Sequence, residues 1–131
     1  MPGMSTSPAS PAPVTWFEIA TDDAESARRF YGELFGWTFA VDDPSYSMIT
    51  TLPGQPPRGG IRDTGTPQPD GVPRSYAVPY VEVADVAATC AQLEELGGKV
   101  TVAATDADGL VYALVTDPSG SLFGLFAPPA P

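Results

Sequence analysis

The sequence predicts an α+β domain: two tandem βαβββ units sharing one curved mixed sheet, with the helices on its convex face. Three observations carry this reading. The chain has 131 residues, enough for one packed domain and too few for two large ones. A segment crowded with six Pro and five Gly, residues 53–74, divides it. The same order of elements is legible on both sides of that segment. The two sides also register by subtraction: adding 62 to Asp23, Glu33, Leu34 and Gly36 gives Asp85, Glu95, Leu96 and Gly98. A single unit would leave one sheet face bare; two units joined edge to edge make a curved sheet whose concave side is free for a ligand.

Residues 1–13 hold Pro2, Pro8, Pro11 and Pro13 among Ser, Thr, Ala and Gly. Too little apolar surface is present there to order the chain, so the segment is expected to be a disordered tail. The domain is expected over 14–131, with a first module at 14–62, a linker at 63–73 and a second module at 74–128. Val14–Ala20 alternates as a strand, with Val14, Trp16 and Glu18 on one face and Thr15, Phe17 and Ile19 on the other. A helix follows, with Asp22 as its N-cap and Glu25 three residues on in a capping-box pattern. Ala27, Phe30, Tyr31 and Leu34 recur at helical spacing, and Gly36 suits the left-handed residue that ends the helix. Trp37–Val41 and Tyr46–Leu52 read as strands around an Asp-Asp-Pro-Ser turn. Arg58–Arg62 reads as a short edge strand within the Gly/Pro-rich segment. Beyond it come a strand over Ser75–Val83 and a helix carrying Val86, Cys90, Leu93 and Leu96 on one stripe. That helix has Asp85 as cap and Gly97-Gly98 as stop. Strands over Lys99–Ala104, Leu110–Thr116 and Ser121–Ala127 complete the repeat, joined by turns at Asp106–Gly109 and Asp117–Gly120.

Composition removes several classes of function. Six Lys and Arg against sixteen Asp and Glu give a net charge of −10, opposite to the basic face of a duplex-binding or anionic-membrane protein. No apolar run approaches the roughly 20 residues of a membrane span. No secretory signal is visible, so a cytoplasmic address is the default. The chain has no His, which removes the commonest general base, the commonest transition-metal ligand and every His-dependent triad. Its single Cys, Cys90, forms no internal disulfide and falls on an apolar helix stripe as a small core residue. Gly59-Gly60 lacks the pattern of a phosphate loop.

Strand alternation points Trp16 to the concave face, as an aromatic wall for a flat ligand or as plain filling. Glu18 lies one alternation step away. A carboxylate beside an indole loses solvation, which raises its pKa and makes it a better base; a cleft-mouth carboxylate in water is the bland alternative. Tyr80 is the counterpart of Glu18 in the second module and faces the same cleft. Tyr46, Met48, Tyr76 and Tyr112 follow from the same alternation as ligand contacts or sheet packing. Arg58, Arg62 and Arg74 lie in or beside the Gly/Pro-rich segment, as anion clamps or as ordinary ion-pair partners.

The stretch from Phe17 to Trp37, with its Asp…Phe-Tyr…Gly-Trp spacing, resembles the first module of the vicinal oxygen chelate (VOC) superfamily, which contains glyoxalase I, bleomycin-resistance proteins and extradiol dioxygenases. Val81-Glu-Val-Ala-Asp-Val through Leu96-Gly-Gly resembles the opening of its second module, and Asp117-Pro-Ser-Gly-Ser-Leu-Phe-Gly-Leu-Phe126 resembles its closing strand. The resemblance covers about residues 14–128 and implies a glyoxalase/bleomycin-resistance-like fold. Metal-dependent members place His, Gln or Glu on the concave face. The matching positions here are Trp16, seven residues before Asp23, and Val78, seven before Asp85. The others are Gly124 in the closing strand and the Arg58-Gly-Gly-Ile region. None supplies a ligand, so no metal at that site and no cofactor are expected, and Val78 and Gly124 join the candidate ligand contacts. The resemblance also implies a homodimer.

Three classes of function fit this reading. The first is a metal-free small-molecule binding protein of the bleomycin-resistance type, taking an apolar, aromatic or cationic ligand in the concave cleft; the net charge favours a cation. The second is a superfamily enzyme, lyase- or isomerase-like, using Glu18 or a tyrosine as acid or base. The third is a non-catalytic partner or regulatory module.

Overall fold

A computed structural model of the chain describes residues 11–65 and 71–129. The first unit runs β1 (Val14–Thr21), α1 (Ala24–Phe35), β2 (Thr38–Asp43), β3 (Tyr46–Thr50) and β4 (Gly59–Asp63). The second runs β5 (Tyr76–Glu82), α2 (Val86–Glu95), β6 (Lys99–Ala107), β7 (Leu110–Thr116) and β8 (Leu122–Ala127). The expected repeat of one strand, one helix and three strands is therefore present twice. All eight strands form one mixed sheet in the order β2-β3-β4-β1-β5-β8-β7-β6.

The units meet at the antiparallel pair β1–β5, where Trp16 opposes Tyr80 and Glu18 opposes Val78. These two pairs are one relation seen twice, because Trp16 and Val78, like Glu18 and Tyr80, are equivalent under the repeat offset. Flanking this centre, β4 lies parallel to β1 with Gly60 beside Glu18, and β8 lies parallel to β5 with Gly124 beside Tyr80. The centre of the sheet is thus a pseudo-symmetric quartet of strands.

Alternation along the strands divides the apolar residues between two faces. On the helix-covered face, Ile19, Ala24, Ile49 and Ile61 pack with Phe17, Tyr31 and Trp37 under α1. Val86, Cys90, Ala113, Val115 and Leu125 pack with Leu93 and Phe123 under α2. On the opposite face, Val72, Val78, Tyr80 and Leu114 form a third cluster with Trp16, Tyr76, Tyr112 and Phe126. No helix is long and apolar enough to cross a membrane among the described residues.

Four local expectations are corrected. The N-cap of α1 is Asp23, not Asp22: its side chain accepts from the Ser26 amide, as Asp85 accepts from that of Ala88 in α2. Asp22 instead pairs with Arg74 at 2.9 Å on the surface, so Glu25 completes no capping box. Second, the strand at Gly59–Asp63 is interior, held between β3 and β1; a glycine pair that reads as a breaker fits here because aromatic rings cover it. Third, α1 ends on a left-handed Gly36 and α2 stops at Gly97-Gly98 as expected, but its left-handed residue is Gly97 and not Gly98, the counterpart of Gly36 under the offset. The offset of the repeat therefore holds at the helix starts and slips at the helix ends. Fourth, β6 continues to Ala107, and Asp108-Gly109, both at positive φ, form the tight turn into β7.

Residues 1–10 of the expected tail and 66–70 of the expected linker lie outside the described residues. The described parts of both segments engage the domain. The Pro13 carbonyl accepts from the Glu82 amide, Thr64 is buried and donates to the Arg74 carbonyl, and Val72 is buried in the third cluster.

The fold also sets an acid limit. Amides of Ser26, Ser45 and Ser121 hold the carboxyls of Asp23, Asp43 and Asp117 below the usual carboxylate value. A carboxyl whose folded pKa is depressed stabilises the fold above its unfolded pKa and loses that contribution as pH falls through the folded one. The melting temperature is expected to be level above about pH 5 and to fall below about pH 4. A melting temperature unchanged down to about pH 2 would exclude these carboxyls as contributors.

Candidate functional site

The unhelical face of the sheet curves around a cavity of about 450 Å³ lined by Trp16, Glu18, Tyr46, Met48, Arg62, Tyr80, Ala107, Leu110, Tyr112 and Phe126. The central strands β1 and β5 supply its floor. One wall comes from β3 and β4, the other from β7, β8 and the β6–β7 hairpin. Its size is that of an ordinary small-molecule site, and its lining is overwhelmingly apolar and aromatic.

Glu18 lies at its base and is 2% exposed. A carboxylate at that depth needs partners, and it has three. Tyr76 Oη donates to Glu18 Oε2 at 2.9 Å, Tyr80 Oη donates to the same oxygen at 3.1 Å, and Arg62 Nε stands 3.5 Å from it. Across the floor, Trp16 Nε1 donates to Tyr46 Oη at 3.0 Å. The Arg62 guanidinium also lies over the Tyr112 ring, 5.3 Å from its centre. Two acidic or basic groups, Glu18 and Arg62, line the cavity, and they are of opposite sign.

This network fixes the protonation of its members. Burial, and then the Glu18 charge, push the phenols of Tyr46, Tyr76 and Tyr80 well above the ordinary tyrosine value. They are therefore protonated donors at neutral pH. Burial opposes the Arg62 charge, but Glu18 and the surrounding phenol oxygens outweigh it and hold the guanidinium above its ordinary value.

Two glycines make the arrangement possible. A Cβ at Gly60 would stand 2.2 Å from the Tyr46 ring, and one at Gly124 would stand 2.4 Å from the Tyr80 ring. Each ring therefore lies flat across a strand whose nearest residue has no side chain. The Phe126 ring meets Tyr80 edge-on, with centres 6.3 Å apart.

Of the residues expected from the sequence, Trp16, Glu18, Tyr46, Met48, Tyr80 and Tyr112 line the cavity together. Tyr76 reaches it through its bond to Glu18. Val78 is buried in the cluster beneath, and Gly124 acts as the platform under Tyr80; neither lines the cavity. Arg62, expected at the end of a short edge strand as an anion clamp or ion-pair partner, occupies an interior strand opposite Ala20 and lines the cavity. Ala107, Leu110 and Phe126 were not anticipated. Phe126 is two residues from Gly124 and Leu110 two from Tyr112, so alternation alone places both on this face. Cys90 is buried under α2, where burial and then Glu94 raise its thiol pKa.

The model of the Glyoxalase/Bleomycin resistance protein/Dioxygenase superfamily matches residues 14–125. The chain is 33% identical over 118 residues to CFP32 of Mycobacterium tuberculosis, a match covering 85% of this chain and 44% of that protein. It is 32% identical to the anthracycline biosynthesis protein DauV of Streptomyces sp. strain C5, covering 89% of this chain and 47% of DauV. The chain thus spans about half the length of these relatives. Among solved structures, methylmalonyl-CoA epimerase from Mycobacterium tuberculosis superposes with a TM-score of 0.57 at 16% identity, over 98% of this chain and 96% of the epimerase. The NAD-dependent benzaldehyde dehydrogenase structure from Legionella pneumophila gives 0.62 at 13% identity, over 86% and 96%. At those identities the likeness is one of fold. A mixed sheet closed around a concave site, in a tandem βαβββ repeat, defines the class, and the chain belongs to the glyoxalase/bleomycin resistance protein/dioxygenase (VOC) superfamily.

The residues at this face do not fit the metal centre that the superfamily's name implies. Trp16 and Val78 carry no donor suited to a divalent cation. At Gly60 and Gly124 any side chain would collide with a tyrosine ring. No group of three His, Cys, Asp or Glu gathers anywhere among the described residues.

Proposed function

We propose that this chain is a small-molecule binding protein that seats a flat, mainly apolar or aromatic ligand in the concave cavity without a bound metal. The observation that carries this reading is the state of Glu18. Its Oε2 accepts two phenol hydrogens and faces Arg62, which ties the carboxylate into the base of the cavity as a structural anion. A general base must stand within reach of the substrate proton, and this residue lies at the bottom of the cavity, 2% exposed. The tyrosines, held protonated by burial and by that anion, are equally ill suited to act as bases. What remains for a ligand is a set of ring faces: Trp16, Tyr46, Tyr112 and Phe126, with Met48 as an adaptable neighbour. The similarity to an anthracycline biosynthesis protein over most of the chain supports a fused aromatic ring system as the ligand class. The net charge of −10 favours ligands whose exposed end is cationic.

Daunorubicin, an anthracycline with a planar ring system and an amino sugar, is a suitable probe. Calorimetric titration is expected to show saturable one-to-one binding. Trp16→Ala is expected to weaken it about tenfold by removing a stacking face. Absence of binding, or binding that Trp16→Ala leaves unchanged, would count against this cavity as the site.

A further inference from the structure

We propose that the cavity selects ligands whose buried part is neutral and bears a carbonyl oxygen, and that Arg62 is the residue that reads that oxygen. This rests on the proposed binding function and specifies the ligand's polar end.

Arg62 carries five N–H donors in a planar fork. Within the protein they meet one carboxylate, at ion-pair distance, and the face and hydroxyl of Tyr112. Its Nε is buried beside Glu18, so the donors left for a ligand are those of its two terminal nitrogens. The side chain as a whole is 30% exposed and lines the cavity. A guanidinium is thus held in place, on an interior strand, with donor capacity left over at an otherwise apolar wall. The other polar groups differ in kind. The Tyr76 and Tyr80 hydroxyls are committed to Glu18, and the Trp16 indole N–H is committed to Tyr46. The Tyr46 and Tyr112 hydroxyls accept from Trp16 and Arg62 and are neutral donors in their turn, so Arg62 is the charged donor with spare capacity.

Charge balance decides which acceptor suits it. Glu18 and Arg62 cancel, so the cavity is locally neutral although the chain carries −10. A carboxylate ligand would leave a net negative charge in an apolar enclosure, and it would face Glu18. A cation would be placed against Arg62. Both are penalised by desolvation. A ketone or quinone oxygen accepts a charge-assisted hydrogen bond from Arg62 and leaves the neutral balance intact. The net negative charge of the chain therefore acts on whatever part of the ligand stays in water, while the buried part is read by Arg62.

Four naphthalenes of one shape separate these possibilities: 2-acetonaphthone, 2-ethylnaphthalene, 2-naphthoate and 2-naphthylmethylammonium. Their dissociation constants are measured by calorimetry on the full chain. The ketone is expected to bind about tenfold tighter than the ethyl compound, the scale of one hydrogen bond to a charged donor. It should also bind tighter than either ion. In Arg62→Met the advantage of the ketone over the ethyl compound is expected to vanish while the ethyl compound still binds. Because Arg62→Met leaves Glu18 without its cation, the Glu18→Gln/Arg62→Met double variant, which keeps the cavity neutral, is measured beside it and is expected to show the same loss. A ketone advantage that survives in the folded variant, or a preference of the natural chain for either ion or for the ethyl compound, overturns the role of Arg62 while leaving the binding function standing. Failure of all four probes to bind overturns both.

Discussion

Glu18→Ala is expected to lower folding stability by about 3 kcal/mol, measured by urea unfolding, with Glu18→Gln costing clearly less. The reason lies in what the substitution leaves behind. Tyr76 and Tyr80 lose the acceptor they share, and Arg62 loses its counter-ion. Unpaired buried hydroxyls each cost on the order of 1 kcal/mol or more. Removing one member of a buried ion pair costs about 3–5 kcal/mol, here placed at the lower end because Arg62 is 30% exposed. Gln keeps a carbonyl acceptor for the tyrosines and loses only the charge. A loss below about 1 kcal/mol for Glu18→Ala would mean that water takes over the role of the carboxylate. The cavity would then be wetter than its lining indicates, and Glu18 would again be open to proton transfer.

Gly124→Ala is the second large effect, expected to cost about 2–3 kcal/mol. The added methyl would stand 2.4 Å from the Tyr80 ring, and that ring is 4% exposed and bonded to Glu18, so it has nowhere to go. The mechanism is overpacking, and it carries its own control. In a Tyr80→Leu background the same methyl has room, so the two substitutions are expected to be non-additive by more than about 1 kcal/mol. Additivity within about 0.5 kcal/mol would show that the methyl and the ring do not meet.

The architecture was legible in the sequence because each unit repeats the same local signals. Asp23 and Asp85 cap equivalent helices, and the strands alternate cleanly enough to separate Trp16 and Glu18 from Phe17 and Ile19. The offset of the repeat also put Glu18 and Tyr80 in one cleft as equivalent residues, and the antiparallel pairing of β1 and β5 sets them diagonally across the pseudo-symmetry axis. What was not legible depends on neighbours distant in sequence. Arg58–Arg62 reads as a short edge strand, and only the rings of Phe17 and Tyr46 lying over Gly59 and Gly60 give it an interior place. Arg62 consequently reads as a residue at the rim of the sheet and not in the cavity wall. The choice between Asp22 and Asp23 as cap is settled by Arg74, 52 residues away, which pairs with Asp22. Ala107 enters the cavity because β6 continues past Ala104, where the sequence ends the expected strand.

The central claim is that ligand sits on the aromatic concave face and not elsewhere on the sheet. The chain's two tryptophans report on the two faces. Trp16 lines the cavity with its indole N–H bonded to Tyr46, and Trp37 packs with Phe17, Tyr31 and Phe35 on the side of α1. In ¹⁵N-labelled protein their indole N–H groups give two separate nuclear magnetic resonance signals. Titration with 2-acetonaphthone is expected to shift the Trp16 signal in proportion to occupancy and to leave that of Trp37 in place. Movement of the Trp37 signal alone, or of neither signal under saturating ligand, would contradict the assignment of the concave cavity as the binding site.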